Sequence, residues 1–271
     1  MHLEHIVPGK NSVLYNSDKS SILYEKLSNT IHSGEREGLA ALQQRIESVD
    51  YKPSFESESL RRGKDAPLAI ILLEVTEQCN LNCSYCIYSD SYPDERSPSN
   101  RDMPFDIARR ALNELVPISK KSVLIGFYGG EPLLNMDLIR KVMDYSRKSF
   151  PSKEIMFSMT TNFFNADRYI KELVNNEFYI NLSLDGPREV HDKSRRTRSG
   201  EPTFDRIVAN LKKIEEYRKG YIDSNVFVLS TCDDSTDLQR IIQFFDQSDY
   251  FVTHINNPEP KGRKHEIRQI N

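Results

Sequence analysis

Leu68-Ala69-Ile70-Ile71-Leu72-Leu73-Glu74-Val75-Thr76-Glu77-Gln78-Cys79-Asn80-Leu81-Asn82-Cys83-Ser84-Tyr85-Cys86 is the stretch on which the reading of the chain turns. Leu68 to Val75 is an apolar run that predicts a strand, and the loop directly after it carries three cysteines in the spacing C-x3-C-x2-C. No fourth cysteine lies nearby. Three thiolates on one short loop hold three irons of a [4Fe–4S] cube and leave the fourth iron open to a small molecule. A loop after a strand also sits at the C-terminal end of a barrel strand, where such folds keep their active sites. The competing reading is a zinc site or three reduced core cysteines. A structural zinc site wants four ligands, and no CxxC or HxxxH partner follows at a suitable distance.

Outward from this stretch the pattern alternates strand and helix, which implies parallel strands joined by right-handed crossovers. Strands are expected at Leu68 to Val75, Ser122 to Tyr128, Glu154 to Thr160, Tyr179 to Leu184, Asn225 to Ser230 and Tyr250 to Ile255. Helices are expected at Pro104 to Leu115, Met136 to Ser149, Ala166 to Asn175, Thr203 to Tyr217 and Thr236 to Gln247, with Pro104 suited to a first turn. Six such units make an α/β fold, a partial (βα)6 barrel short of the eight that close a full one. The polar stretch 258–271 lacks an apolar period and reads as a tail or a truncation point.

Residues 1–65 differ in texture. Glu4 to Val7 and Ser12 to Tyr15 read as short strands, with Pro8-Gly9-Lys10-Asn11 as the turn between them. Ser20 to Ile31 and Glu35 to Val49 read as amphipathic helices, the second with Leu39, Leu42 and Ile46 on one face. Tyr51 to Lys64 reads as a polar linker. The segment is either packing for the barrel or a small peptide-docking module of strands and helices.

The chain has 271 residues, 38% hydrophobic and 28% charged, with a formal charge of −3. This balance suits a globular protein and gives no global reason for nucleic-acid binding. No run nears the roughly 18 apolar residues of a membrane span, and Met1-His2-Leu3-Glu4-His5 lacks the pattern of an export signal. Four cysteines, three of them clustered, do not look like a disulfide framework. A cytoplasmic location is expected, with no membrane and no nucleic acid among the partners.

Three further groups sit at expected strand ends. Gly129-Gly130-Glu131-Pro132 follows the second strand, Thr160-Thr161-Asn162 ends the third, and Ser183-Leu184-Asp185-Gly186-Pro187 ends the fourth, with His191-Asp192 and Arg195 just beyond. Each alone reads as turn chemistry. Together with the cysteine spacing they resemble the radical S-adenosylmethionine (SAM) family. The resemblance covers about residues 68–257 and implies a [4Fe–4S] cluster on Cys79, Cys83 and Cys86, with SAM chelated at the open iron. One-electron cleavage of SAM would yield a 5′-deoxyadenosyl radical that takes a hydrogen atom from a substrate. The resemblance also implies that the Gly129, Gly130, Glu131, Pro132 motif binds the SAM amino group, Ser183 the ribose and Arg195 the carboxylate. Asp185 and Asn162 would lie near the ribose or the abstracted hydrogen, Tyr85 precedes the last cysteine, and the backbone at Ile87 and Tyr88 would meet the adenine.

Within the family, Glu74 to Tyr88 resembles the peptide-modifying maturases, and Ser183 to Pro187 with His191-Asp192 and Arg195 resembles the SPASM-type and anaerobic sulfatase-maturase branches. These imply a precursor peptide or protein substrate and an external reductant such as flavodoxin or ferredoxin, with residues 1–65 as a reduced peptide-recognition element. An activity like that of the sulfatase maturases is the alternative, and a non-catalytic peptide-binding protein the rival. SPASM-type relatives carry a cysteine-rich C-terminal domain, whereas no cysteine follows Cys232 here. Cys232 itself is expected to be a packing residue on the same rim, and His254 a structural histidine.

Overall fold

The computed structural model describes residues 5–8, 12–16, 21–25, 30–48, 68–89, 92, 99–232, 236–248 and 250–256. The expected linker and the tail beyond Asn256 lie outside them. The chain divides into two compact units, residues 1–66 and 67–271.

The first unit is an antiparallel meander, β1 (His5–Pro8), β2 (Ser12–Asn16), β3 (Ser21–Glu25) and β4 (Thr30–Gly34), in the spatial order 1-2-3-4. Helix α1 (Arg36–Glu47) follows. Leu14 of β2 stands opposite Leu23 of β3, and both are buried with Leu39 and Ile46 of α1. The expected helix over Ser20 to Ile31 is therefore wrong: the segment is two strands. Its apolar residues fit either period over so short a window, and the choice falls to pairing, because Leu23 lies between Leu14 on one side and His32 on the other. The ladder satisfies backbone groups along its length.

The second unit holds six parallel strands, β5 (Leu68–Thr76), β6 (Ser119–Gly129), β7 (Glu154–Thr161), β8 (Tyr179–Ser183), β9 (Val226–Thr231) and β10 (Phe251–Asn256). Their order in space is their order in sequence, and among the described residues β5 and β10 do not pair. This is the expected open, partial barrel of six strands. The connecting helices are α2 (Phe105–Leu115), α3 (Met136–Ser149), α4 (Ile170–Asn175), α5 (Arg188–Ser194), α6 (Phe204–Tyr217), α7 (Tyr221–Asn225) and α8 (Leu238–Asp246). Helices α5 and α7 are short and have no apolar period long enough to announce them.

Alternation along each strand sends one set of side chains under the helices. Val123, Ile125 and Phe127 of β6 are fully buried in one cluster with Ala108 and Leu112 of α2 and Ile139 and Val142 of α3. Each such aliphatic contributes roughly 1.5–3 kcal/mol by burial. Phe127, Phe157 and Phe178 form a ring trio with centroids 5.8–6.1 Å apart. On β5, Ile71, Leu73 and Val75 go inward while Ile70 and Leu72 are exposed. The packed face fixes the strands rigidly, so their C-terminal ends hold a defined geometry. Asn135 adds to this: its Nδ2 donates to Val75 O (2.8 Å), and its Oδ1 accepts from Leu138 N at the start of α3.

Candidate active site

All six strands end around one cavity of about 1220 Å³, above the roughly 300–1,000 Å³ of a site for one small ligand. The cysteine loop forms one wall. Cys79, Cys83 and Cys86 are free, half-buried thiols that line it together.

The loop is held from four directions. At its start, Thr76 Oγ1 donates to Asp102 Oδ1 (2.6 Å) and accepts from Gln78 N (3.1 Å). On the β6 side, Gly130 N donates to Thr76 O (2.8 Å) and Glu131 N to Gln78 O (2.7 Å). These contacts require the glycines: a Cβ on Gly129 would stand 2.1 Å from Thr76 O, and one on Gly130 2.0 Å from Gln78 O. Gly129 also has φ +135°, a region that side chains strain to reach. On the far side, Asn82 N donates to Arg196 O and Ser84 N to Ser194 O, while buried Leu81 bridges to Thr197. Below, the Tyr85 hydroxyl donates to Asp185 Oδ2.

Glu131 is fully buried. Its carboxylate accepts from Thr161 Oγ1 (2.6 Å), Asn162 N (2.7 Å) and Leu133 N (3.1 Å). Burial pushes the carboxyl up to about 7, with those three donors pulling against it. Asp185 is also buried: its Oδ1 accepts from Thr231 N (2.9 Å), and its Oδ2 accepts from Arg195 Nε (2.9 Å) as well as from Tyr85. His191 receives Asp185 N on Nδ1 (3.3 Å) and faces Thr203 Oγ1 with Nε2 (3.0 Å). Burial holds its pKa down at about 4, so it is the neutral imidazole. Asp192 Oδ1 accepts from Thr203 N and Phe204 N, which caps α6.

Of the residues expected at the site, Cys79, Cys83, Tyr85, Cys86, Tyr88, Gly129, Gly130, Asn162, Ser183 and Arg195 line the cavity. Glu131, Pro132 and Asp185 do not. They lie behind the wall: the carboxylates are enclosed by protein donors, and Pro132 opens a buried 3₁₀ turn. Cys232 is buried in the apolar core and not on the cavity wall, and His254 is exposed on β10. Asp102 and Asn80 were missed. No pattern marks Asp102, which reaches Thr76 only because residue 102 bridges back antiparallel to the end of β5.

The donor set fits the implied cluster. Three thiols are one short of the four ligands that a structural zinc site wants, and they suit the three ligated irons of a [4Fe–4S] cube. Burial pushes the Cys79 thiol up to about 12 and Cys83 upward as well, with the neighbouring thiols adding to both. A cationic group bound at these sulfurs would favour their thiolate forms and release their protons. Asn80 Nδ2 is buried with no hydrogen-bond partner among the described residues, and such an orphan donor points to an acceptor that the protein does not supply.

A family model described as the radical SAM superfamily matches residues 73–235. A cysteine-type anaerobic sulfatase-maturating enzyme of Clostridium perfringens is 28% identical over 203 residues, covering 72% of this chain and 53% of that protein. The radical SAM cyclopropyl synthase TigE of Paramaledivibacter caminithermalis is 24% identical over 194 residues, covering 68% and 40%. Among solved structures, native anSMEcpe with bound AdoMet and Kp18Cys peptide aligns with a TM-score of 0.60 at 23% identity, over 73% of this chain and 55% of that one. The likeness is one of fold. This chain spans about half the length of the sulfatase-maturating relatives it matches. The family's cofactors are a [4Fe–4S] cluster and SAM, and AdoMet is bound in solved relatives. Among the described residues no helix is long and apolar enough to cross a membrane. The family match runs from the strand that carries the cysteine loop to beyond the fifth strand of the half-barrel, more than half of the sequence, and the chain belongs to the radical SAM superfamily.

Proposed function

We propose that this chain is the catalytic core of a radical SAM enzyme acting on a residue of a peptide or protein. The observation that carries the reading is the convergence of three free thiols from one loop on a cavity ringed by the strand ends. When bound, the cluster and SAM supply one-electron cleavage of SAM to methionine and a 5′-deoxyadenosyl radical, which takes a hydrogen atom from the substrate.

Cys79, Cys83 and Cys86 would hold the cluster. Gly129 and Gly130 bring bare backbone to the cavity wall, where the SAM amino group would lie. Ser183 would meet the ribose, and Tyr88 with the backbone near it the adenine. Arg195 lines the cavity with its Nε tied to Asp185, so it would meet the SAM carboxylate already oriented. Glu131 and Asp185 act as positioning residues: Glu131 joins the ends of β6 and β7, and Asp185 joins β8, β9 and the cysteine loop.

The substrate reading favoured here is a ribosomally made peptide, with a flavodoxin or ferredoxin as reductant. In the first unit, β1 and β4 are edge strands of an antiparallel sheet, a form that accepts an added peptide strand. The identity to sulfatase-maturating enzymes supports a second reading, a maturase-like modification of a Cys or Ser in a protein.

The test is anaerobic. The full chain is reconstituted with iron and sulfide, reduced with dithionite, given SAM, and assayed for 5′-deoxyadenosine by mass spectrometry beside Cys83→Ala. Product from the parent alone is expected. A parent that holds its cluster and releases none overturns the catalytic reading. A mass change in a sulfatase-derived Cys peptide, with none in short precursor peptides, selects the second substrate.

A further inference from the structure

The resemblance places Asn162 at the ribose or the abstracted hydrogen, but its hydrogen bonds point elsewhere. Asn162 Oδ1 accepts from Phe164 N (3.0 Å). An N–H donor on that atom fixes which end of the amide is oxygen. Nδ2 is thereby turned the other way, where it donates to Asn80 Oδ1 (2.9 Å) and lies 3.9 Å from Cys79 Sγ. The backbone is held too: Asn162 N donates to the buried Glu131 carboxylate at 2.7 Å. The residue is only 7% exposed, and a turned-over amide would set its N–H against Phe164 N and its oxygen against Asn80 Oδ1.

Asn80 continues the pattern. Its Oδ1 is taken by Asn162, which leaves its own Nδ2 as the buried donor with no partner among the described residues. Asn162 Nδ2 is thus aimed at the Cys79 sulfur, and Asn80, the residue after Cys79, carries a buried Nδ2 with no acceptor among the described residues. A protein that wanted only a tight turn here would have no use for an unmatched buried donor, which costs roughly 1–3 kcal/mol.

We infer that the Asn80–Asn162 pair donates hydrogen bonds on the Cys79 side of the cluster and sets its reduction potential. This rests on the reading of Cys79 as a cluster ligand. The physical ground is general: N–H groups directed at cluster sulfur stabilise the more negative, reduced state and raise the potential. Asn162 and Asn80 are positioning residues in this account, acting through Cys79, and contact with SAM is not required of either.

The experiment is a redox titration followed by electron paramagnetic resonance, on the anaerobically reconstituted full chain without SAM. Iron and sulfide per chain are counted in each sample. Asn162→Ala is expected to keep its iron and to shift the midpoint to a more negative potential. Asn162→Asp keeps the shape and the bond from Phe164 N, replaces the donor by an oxygen, and is expected to shift it further the same way. Asn80→Ala is expected to shift it in the same direction. Midpoints equal to the parent's in cluster-loaded variants overturn the inference and leave the ligand reading intact. A parent that takes up no iron overturns both. If Asn162→Ala alone loses its iron, Asn162→Asp decides.

Discussion

Arg195 donates through Nε to Asp185 Oδ2 at 2.9 Å while its guanidinium stands over the Tyr85 ring, 5.3 Å from the centroid. Both charged side chains are enclosed, 10% and 1% exposed. Removing one partner of such a pair leaves the other charge buried and uncompensated, at a cost of roughly 3–5 kcal/mol. Asp185→Ala is therefore expected to lose about that much in urea unfolding and to release Tyr85 and the end of the cysteine loop. Asp185→Asn retains acceptor capacity and is expected to lose less. Equal, small losses in both would show that the pair contributes little to holding the loop.

Gly130→Ala drives a methyl group to 2.0 Å from Gln78 O, against backbone that cannot retreat without breaking the bond from Glu131 N. A loss of about 2 kcal/mol or more and reduced iron uptake are expected. Gly38, in α1, has open space around the added carbon. Gly38→Ala is expected to stabilise the first unit by roughly 0.5–1 kcal/mol. Calorimetry of the two variants checks both signs.

His191 makes stability depend on pH. Its pKa is about 4 folded and 6.5 unfolded, so between those values the unfolded chain binds more protons and stability rises with pH. The contribution is complete above 6.5 and is lost as pH falls towards 4, roughly 3 kcal/mol in all. Glu131 works with the opposite sign. Its folded pKa is raised from 4.5 to about 7, so its contribution is present below 4.5 and is lost as pH rises through 7. The two windows overlap, which flattens the sum. His191→Gln is expected to remove the rising part and leave stability falling with pH between 4.5 and 7. An unchanged profile would show that His191 does not titrate in this range.

Glu131→Gln keeps the shape of the side chain but turns an amide N–H towards a protein donor. Both oxygens of Glu131 accept, from Thr161, Leu133 and Asn162, so no orientation of the glutamine satisfies them all. A loss of about 1–3 kcal/mol is expected. Thermal melts of the variant beside the parent check it.

The site is legible in the sequence where spacing alone decides, and not where burial does. The cysteine spacing places Cys79, Cys83 and Cys86 on one loop, and six apolar runs alternating with helical segments predict the strand order that is found. Gly129 and Gly130 are expected to bring backbone close to a ligand, and the close approach that the structure shows is to the backbone of the cysteine loop. Glu131 and Asp185 are read as ligand groups because a carboxylate at a strand end looks available; only the fold reveals that protein donors surround each of them. Asp102 and Asn80 act through partners distant in sequence or by being left unpartnered, and neither condition leaves a local pattern. The Ser20 to Ile31 segment fails for another reason, since its apolar residues suit two periods and the neighbouring strand chooses between them.

The sequential strand order has a consequence for how the protein is made. Every barrel strand pairs with the strand synthesised just before it, so the half-barrel grows by addition at one edge, through contacts that are local in sequence. The cysteine loop comes off the first barrel strand, but Gly130, Asn162, Asp185 and Ser194 to Arg196, which clamp it, arrive from the second unit to beyond the fourth. The thiols are thus the first of the site's groups to emerge and the last to be fixed in place. A nascent chain stalled before β6 would present three cysteines without the Gly130, Asn162 and Asp185 contacts that hold their loop.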